Sequence, residues 1–91
     1  MRADRQRLDK WLWYARFART RGMAARLVED GYVRLNGQRQ TNPAKGIAIG
    51  DVLVVAAPHA TMAVRVLDLG ERRGPASEAQ TLYEPVGEPS A

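Results

Sequence analysis

Asn36-Gly37 ends a four-residue alternation, Tyr32-Val33-Arg34-Leu35, that begins directly after Gly31. Asn-Gly is the strongest short hairpin signal, because both central positions of a type I′ turn need positive φ. Gly31 closes a helical periodicity, as the residue type that most readily turns left-handed just past a helix end. A chain that leaves a helix and enters a hairpin so abruptly must pack helices on a sheet. The expected class is therefore α+β: two or three helices on a small, mostly antiparallel sheet of four or five strands.

Two helices precede the hairpin. In the first, from Leu8 to Phe17, Leu8, Trp11, Leu12 and Ala15 follow the i, i+3, i+4, i+7 pattern of a buried stripe. Thr20 is a candidate N-cap for the second, Arg21 to Asp30, whose apolar face is Met23, Ala24, Leu27 and Val28. Glu29 and Asp30 lie at the end where the helix dipole disfavours anions, and nothing in the sequence offsets that.

Beyond the turn, Gln38 to Thr41 reads as a polar edge strand ended by Asn42-Pro43. Val52-Leu53-Val54-Val55 reads as a strand buried on both sides, broken by Pro58, and Thr61 to Leu67 as the last strand. Residues 1–6 read as a flexible N-terminus, 7–70 as the domain, and 71–91 as a linker, a short helix over Ala76 to Tyr83 and a disordered acidic tail from Glu84. The core is expected to combine Leu8, Trp11, Leu12, Leu27, Val28, Val33, Val52 and Val54.

Charge divides the chain. Residues 1–50 hold eleven Lys/Arg and four Asp/Glu, a net of +7; residues 51–91 hold three and six, a net of −3, which together give the overall +4. Twelve of the fourteen cations are Arg, whose planar fork fits phosphate in two-point contact. The first half is thus suited to an anionic partner. There is no Cys, which excludes disulfides and thiolate metal sites. No apolar run approaches the roughly 20 residues of a bilayer span, and the N-terminus does not fit a signal peptide, so the expectation is a cytoplasmic protein without membrane contact.

The order Arg7-Leu8-Asp9, Thr20-Arg21, Ala24-Ala25-Arg26-Leu27-Val28, Gly31-Tyr32-Val33, Asn36-Gly37, Pro43 and Gly50-Asp51-Val52-Leu53-Val54 resembles the RNA-binding domain named after small-subunit ribosomal protein S-four. The match covers residues 7–56. Lys10 to Phe17, Arg72 to Ala79 and Leu82-Tyr83-Glu84 are similar to the bacterial fifteen-kilodalton heat-shock protein family within it. That resemblance implies binding of structured RNA, ribosomal RNA of the large subunit, and help in recycling stalled large subunits under heat stress. The better-known members of that family continue into a long, basic, helical extension, where this chain is expected to carry an acidic segment with two prolines, Glu84 to Ala91.

The candidate binding residues are Arg16 at the end of the first helix, Arg19 in the connecting loop, Arg21 at the start of the second helix and Arg26 further along it. Lys10 and Arg34 rank behind them, and Arg7 and Arg39 third. The resemblance adds weight to Lys10, Arg16, Arg19, Thr20, Arg21 and Arg26. The competing reading is a solvated basic rim with ordinary ion pairs. Reversing Arg16, Arg19 and Arg21 to Glu is expected to abolish RNA binding with the fold intact. Trp11 lies on the apolar stripe and reads as core. Trp13, about 200° from it around the helix, reads as packing against the tail segment or stacking on a base. Tyr32 and Tyr83 read as packing residues.

Enzyme readings are weak. His59, the single His, follows a Pro, and Glu29-Asp30 point different ways on a helix. No phosphate loop, H-E-x-x-H or nucleophile elbow occurs. The expectation is a non-catalytic monomer with no cofactor or metal. A DNA-binding regulator and an interaction module for an acidic protein are the alternatives.

Overall fold

The first helix begins where its orphan donors find partners far along the chain. The Leu8 and Asp9 N–H groups donate to the carbonyls of Lys45 and Pro43 at 2.9 and 3.0 Å. A computed structural model describes residues 4–56 and 61–86. In it β1 (Gln6–Arg7) leads into α1 (Leu8–Tyr14), and α2 (Arg21–Glu29) follows. Strands β2 (Val33–Leu35), β3 (Gln38–Arg39), β4 (Gly46–Ile47), β5 (Val52–Ala56) and β6 (Thr61–Val66) come next. The chain continues through α3 (Ala76–Ala79), a single 3-10 turn (Gln80–Leu82) and β7 (Tyr83–Pro85). The main sheet has the order β3-β2-β5-β6-β7, all antiparallel; β1 and β4 form a separate two-residue antiparallel ladder. The expected α+β class, helices on a mostly antiparallel sheet, is the architecture observed.

Helix α1 stops three residues before its expected end. The Arg16 N–H bonds to Trp13 O and the Phe17 N–H to Leu12 O, with Arg16 at φ +66°. This is the paired-bond termination that turns the chain left-handed, with arginine at the position where glycine is usual. Helix α2 ends identically: Gly31 at φ +85° bonds to Val28 O and Tyr32 to Leu27 O. Thr20 accepts from the Met23 N–H at 3.0 Å, so the expected N-cap is in place. Asn36 at φ +51° and Gly37 at φ +89° form the hairpin turn as expected.

The core lies between the helices and one face of the main sheet. Leu8, Trp11, Leu12, Ala24, Val28, Val33, Ile47, Leu53, Val64 and Val66 are fully buried there, with Val55 almost so. Val52 and Val54, expected inside, are only half-buried; Leu53 and Val55 face inward in their place. The unbroken apolar run of β5 does not show its inner face. The register does: Val33 pairs with Val55 and Leu35 with Leu53. Leu27 is likewise half-buried, packed against the core from its edge.

The segment after β6 is built onto the core. Glu84 and Pro85, expected in a disordered tail, belong to β7, where Glu84 pairs with Arg65 across the sheet at 2.7 Å. Leu82 is buried, and Tyr83 packs edge-on against Trp11 with centroids 6.3 Å apart and against Phe17 at 5.1 Å. Trp11 is core as expected, its indole N–H donating to Asp68 O at 2.9 Å. Gly70 sits at φ +77°, and a Cβ there would lie 2.9 Å from the Tyr14 ring. Pro58, His59 and residues 87–91 lie outside the described residues.

Candidate nucleic-acid interface

The link between α1 and α2, residues 15–20, carries the highest density of candidate cations, and its shape is fixed from both ends. Thr20 caps α2, so its hydroxyl serves the fold by holding the Met23 N–H. The helix starting there leaves early N–H groups without intrahelical partners, which favours an anion. Above Gly22 the surface is bare: only the Thr20 hydroxyl comes within 4 Å of an added Cβ, at 3.9 Å.

On the other side, residues 73–74 clasp the link. Arg73 donates to Trp13 O at 3.1 Å and to Ala18 O at 3.2 Å, and its guanidinium lies 5.7 Å from the Trp13 ring. In return Arg16 donates to Gly74 O at 2.9 Å. Arg73 thus satisfies one carbonyl of α1 and one of the link, Arg16 satisfies the Gly74 carbonyl in return, and together they fasten the link to a segment 55 to 60 residues away. Trp13 packs against that later segment, the first of its two expected uses. Arg73 itself was not expected here. Its position just before Gly74-Pro75 was the one available signal, and that read as a linker.

Asp9 organises the opposite flank. It accepts two hydrogen bonds from Arg7, both at 3.0 Å, and Arg21 Nε lies 4.0 Å away. Burial alone would push this carboxyl up; the hydrogen bonds and charge of Arg7, the Lys10 N–H and Arg21 outweigh burial and hold it below the usual aspartate range. Arg7 is correspondingly raised by its hydrogen bonds to Asp9 and by the Asp9 charge. Asp9 therefore links the start of α1 to the start of α2, and Arg7 and Arg21 are oriented by it.

The candidates divide by environment. Arg16 and Arg21 are partly engaged in holding the fold, and Lys10 lies 5.8 Å from the Tyr14 ring centroid. Arg19, Arg26 and Arg34 are exposed, and among the described residues none of them forms an ion pair. Arg34 stands directly opposite Arg39 across the β2–β3 ladder. Like charges opposite each other weaken a hairpin, so that pair is better suited to an anion than to the fold alone. Arg39 also runs along Gly31, with its Cδ 3.3 Å from where a Cβ would sit. Arg16, Arg19, Thr20 and Arg21 share one turn, Arg26 lies along α2, and Arg34 is on the sheet beyond it.

Among the described residues no group of three His, Cys, Asp or Glu side chains could hold a metal, and no helix is long and apolar enough to cross a membrane.

A helix pair fixed by an arginine-bearing turn and running into a hairpin defines a domain type. The S4 domain family matches residues 6–53. Heat shock protein 15 of Escherichia coli is 44% identical over 82 residues, spanning 90% of this chain and 61% of its own length. The homolog of Aeromonas salmonicida is 46% identical over 78 residues, 86% of this chain and 58% of that protein. The trimeric structure of Vibrio cholerae heat shock protein 15 superposes with a TM-score of 0.85 at 40% identity, covering 90% of this chain and 82% of that one. The chain belongs to the S4 domain family and, within it, to the heat shock protein 15 branch. It spans about three fifths of the length of the curated branch members it matches.

Proposed function

We propose that this chain is a non-catalytic RNA-binding protein of the cytoplasm that binds ribosomal RNA of the large subunit and assists recycling of stalled large subunits under heat stress. The observation that carries the RNA reading is the fixed turn between α1 and α2. It presents Arg19 and the start of α2, flanked by Arg16 and Arg21, to one side of a rigid core. Such a surface spans phosphates of a folded RNA by shape and charge, with few base-edge contacts. Membership of the S4 domain family supports the RNA reading, and the names of the branch members support the link to heat stress. The large-subunit and recycling roles rest on the family resemblance.

Binding should be strongly salt-dependent. If about five phosphates are neutralised, log K falls against log salt with a slope of about −3.5 to −4.5. The expected triple reversal of Arg16, Arg19 and Arg21 is the wrong test, because Arg16 holds Gly74 and Arg21 neighbours the buried Asp9. Reversing Arg19 and Arg26 to Glu removes charge from exposed positions instead. The variant should stay folded, its melting temperature slightly lowered by the new anion near the end of α2, and lose cosedimentation with isolated large subunits. Retained cosedimentation would overturn the reading, as would equal affinity for duplex DNA in competition. In this reading the chain acts as a monomer, which sedimentation equilibrium checks.

A further inference from the structure

Beside the arginine turn lies an apolar groove of about 370 Å³, lined by Phe17, Met23, Leu27 and Tyr32, with Arg26 and Asp30 at its polar edge. That volume is within the range of about 300–1,000 Å³ of small-molecule pockets. Met23, 53% exposed, and Tyr32, 51% exposed, leave large apolar surfaces open to water. Helical spacing explains one wall: Met23, Arg26, Leu27 and Asp30 fall at i, i+3, i+4 and i+7 on α2. The two left-handed helix ends explain the other, because Phe17 and Tyr32 are the residues just beyond Arg16 and Gly31.

Asp30 is the informative member. It ends α2 in the carbonyl-rich region, where a carboxylate is disfavoured. Among the described residues it forms no ion pair, although Arg26 is one turn away on the same face. An exposed carboxylate over an apolar slot, flanked by an arginine and an open tyrosine ring, is complementary to a flat ligand with adjacent N–H donors and a phosphate. Of the four RNA bases only guanine presents two such donors side by side, N1–H and the N2 amino group. A carboxylate accepts both. Adenine and cytosine would turn a ring acceptor toward Asp30, and uracil offers one donor.

We propose that this groove takes one unpaired guanine of the bound RNA, stacked on Tyr32, with Asp30 on its Watson–Crick edge and Arg26 on an adjoining phosphate. The inference rests on the RNA-binding reading and adds a base-specific contact to it. Stacking on an aromatic ring tolerates any base, so the discrimination comes from Asp30.

The test is fluorescence anisotropy with labelled uridine heptamers carrying one central guanosine, inosine or adenosine. The guanosine probe should bind about five-fold or more tighter than the adenosine probe. Inosine, which lacks the amino group, should fall between them. Asp30→Asn should erase the preference while raising the melting temperature. A merely structural acid would not show both effects. Tyr32→Ala should weaken all three probes and Tyr32→Phe should restore them; circular dichroism checks that each variant folds. Equal, salt-dependent binding of all three probes overturns the guanine site and leaves the RNA reading standing. Failure of every probe, with no large-subunit binding either, overturns both. Equal binding together with an oligomer that Met23→Glu dissolves makes the groove a contact between copies of the chain, which also overturns the proposal.

Discussion

Arg73 should control RNA affinity without touching RNA. Replacing it with Ala removes the bonds to Trp13 O at 3.1 Å and Ala18 O at 3.2 Å, together with the contact over the Trp13 ring. A hydrogen bond to a charged group contributes about 1.5–3 kcal/mol when buried. Arg73 is half-buried and the freed carbonyls regain water, so about 0.5–1 kcal/mol each is the fitting value. The ring contact adds about 0.5–1 kcal/mol. The sum is about 1.5–3 kcal/mol, a fall of about 6–24 °C in melting temperature for a domain of this size. Arg73→Lys should recover part of it, because an ammonium keeps the charge but lacks the fork that reaches two carbonyls.

The binding consequence separates positioning from contact. Without its clasp, the turn carrying Arg19 must be ordered on binding, at about 0.5–1.5 kcal/mol per side chain immobilised, so affinity should fall about two- to ten-fold. The number of phosphates neutralised stays the same, so the salt slope should not change. Arg19→Ala should do the reverse: an unchanged melting temperature and a slope shallower by about 0.7–0.9. Titration of RNA by anisotropy at several salt concentrations, with thermal melts of the same samples, reads all of these quantities. An Arg73→Ala slope shallower by about one would show that Arg73 meets a phosphate, and a melting temperature equal to wild type would show that the clasp holds nothing.

Three further outcomes follow from the same geometry. Arg16 holds a left-handed φ that costs a non-glycine residue about 1–2 kcal/mol, so Arg16→Gly should be about 1 kcal/mol more stable than Arg16→Ala in urea titrations, with RNA binding weakened in both. Asp9→Asn should cost about 1–2 kcal/mol at neutral pH. Because the folded carboxyl is depressed, that contribution is present above the unfolded value of about 3.9 and is lost as pH falls through the folded pKa; melts from pH 7 down to 2 should show the gap to wild type constant at first and closing below about pH 4. Leu27→Ala should cost about 1–2 kcal/mol rather than the 2–5 of a fully buried leucine, since Leu27 is half-buried beside the groove, and a chemical melt measures it.

What could be read from the sequence was local. Thr20, Gly31 and Asn36-Gly37 each act on neighbours within a turn, and each does what its residue type and position dictate. Trp11 could be placed inside because its stripe repeats at helical spacing. Val52 and Val54 were misplaced because four apolar residues in a row have no period, and the inner face is chosen by β2 and β6. The clasp was beyond reach for a related reason: Arg73 and Arg16 bond main-chain carbonyls, which every residue has, across 55 to 60 positions. A side chain that serves the backbone leaves no complementary partner in the sequence to signal it.

The two helix ends show why the candidate site lies where it does. Both close with the same pair of backbone bonds, yet one has Gly31 in the left-handed position and the other Arg16. Glycine is the unstrained choice, and α2 uses it. At α1 the same turn is held by tertiary contacts: Arg16 to Gly74, Arg73 to Trp13 and Ala18, and the Phe17 ring against Trp11 and Tyr83. Those contacts allow an arginine where the backbone favours glycine, and so place a cation at the edge of the turn that presents Arg19. Strain accepted at one residue and offset by distant contacts is the pattern expected of a binding site. It also makes the segment around Arg73 and Tyr83 part of the support of the candidate interface, although it lies beyond the residues that match the domain family. Deleting residues 71–86 should therefore loosen the arginine turn and expose Trp11, whereas an arginine surface independent of that segment would keep its RNA affinity.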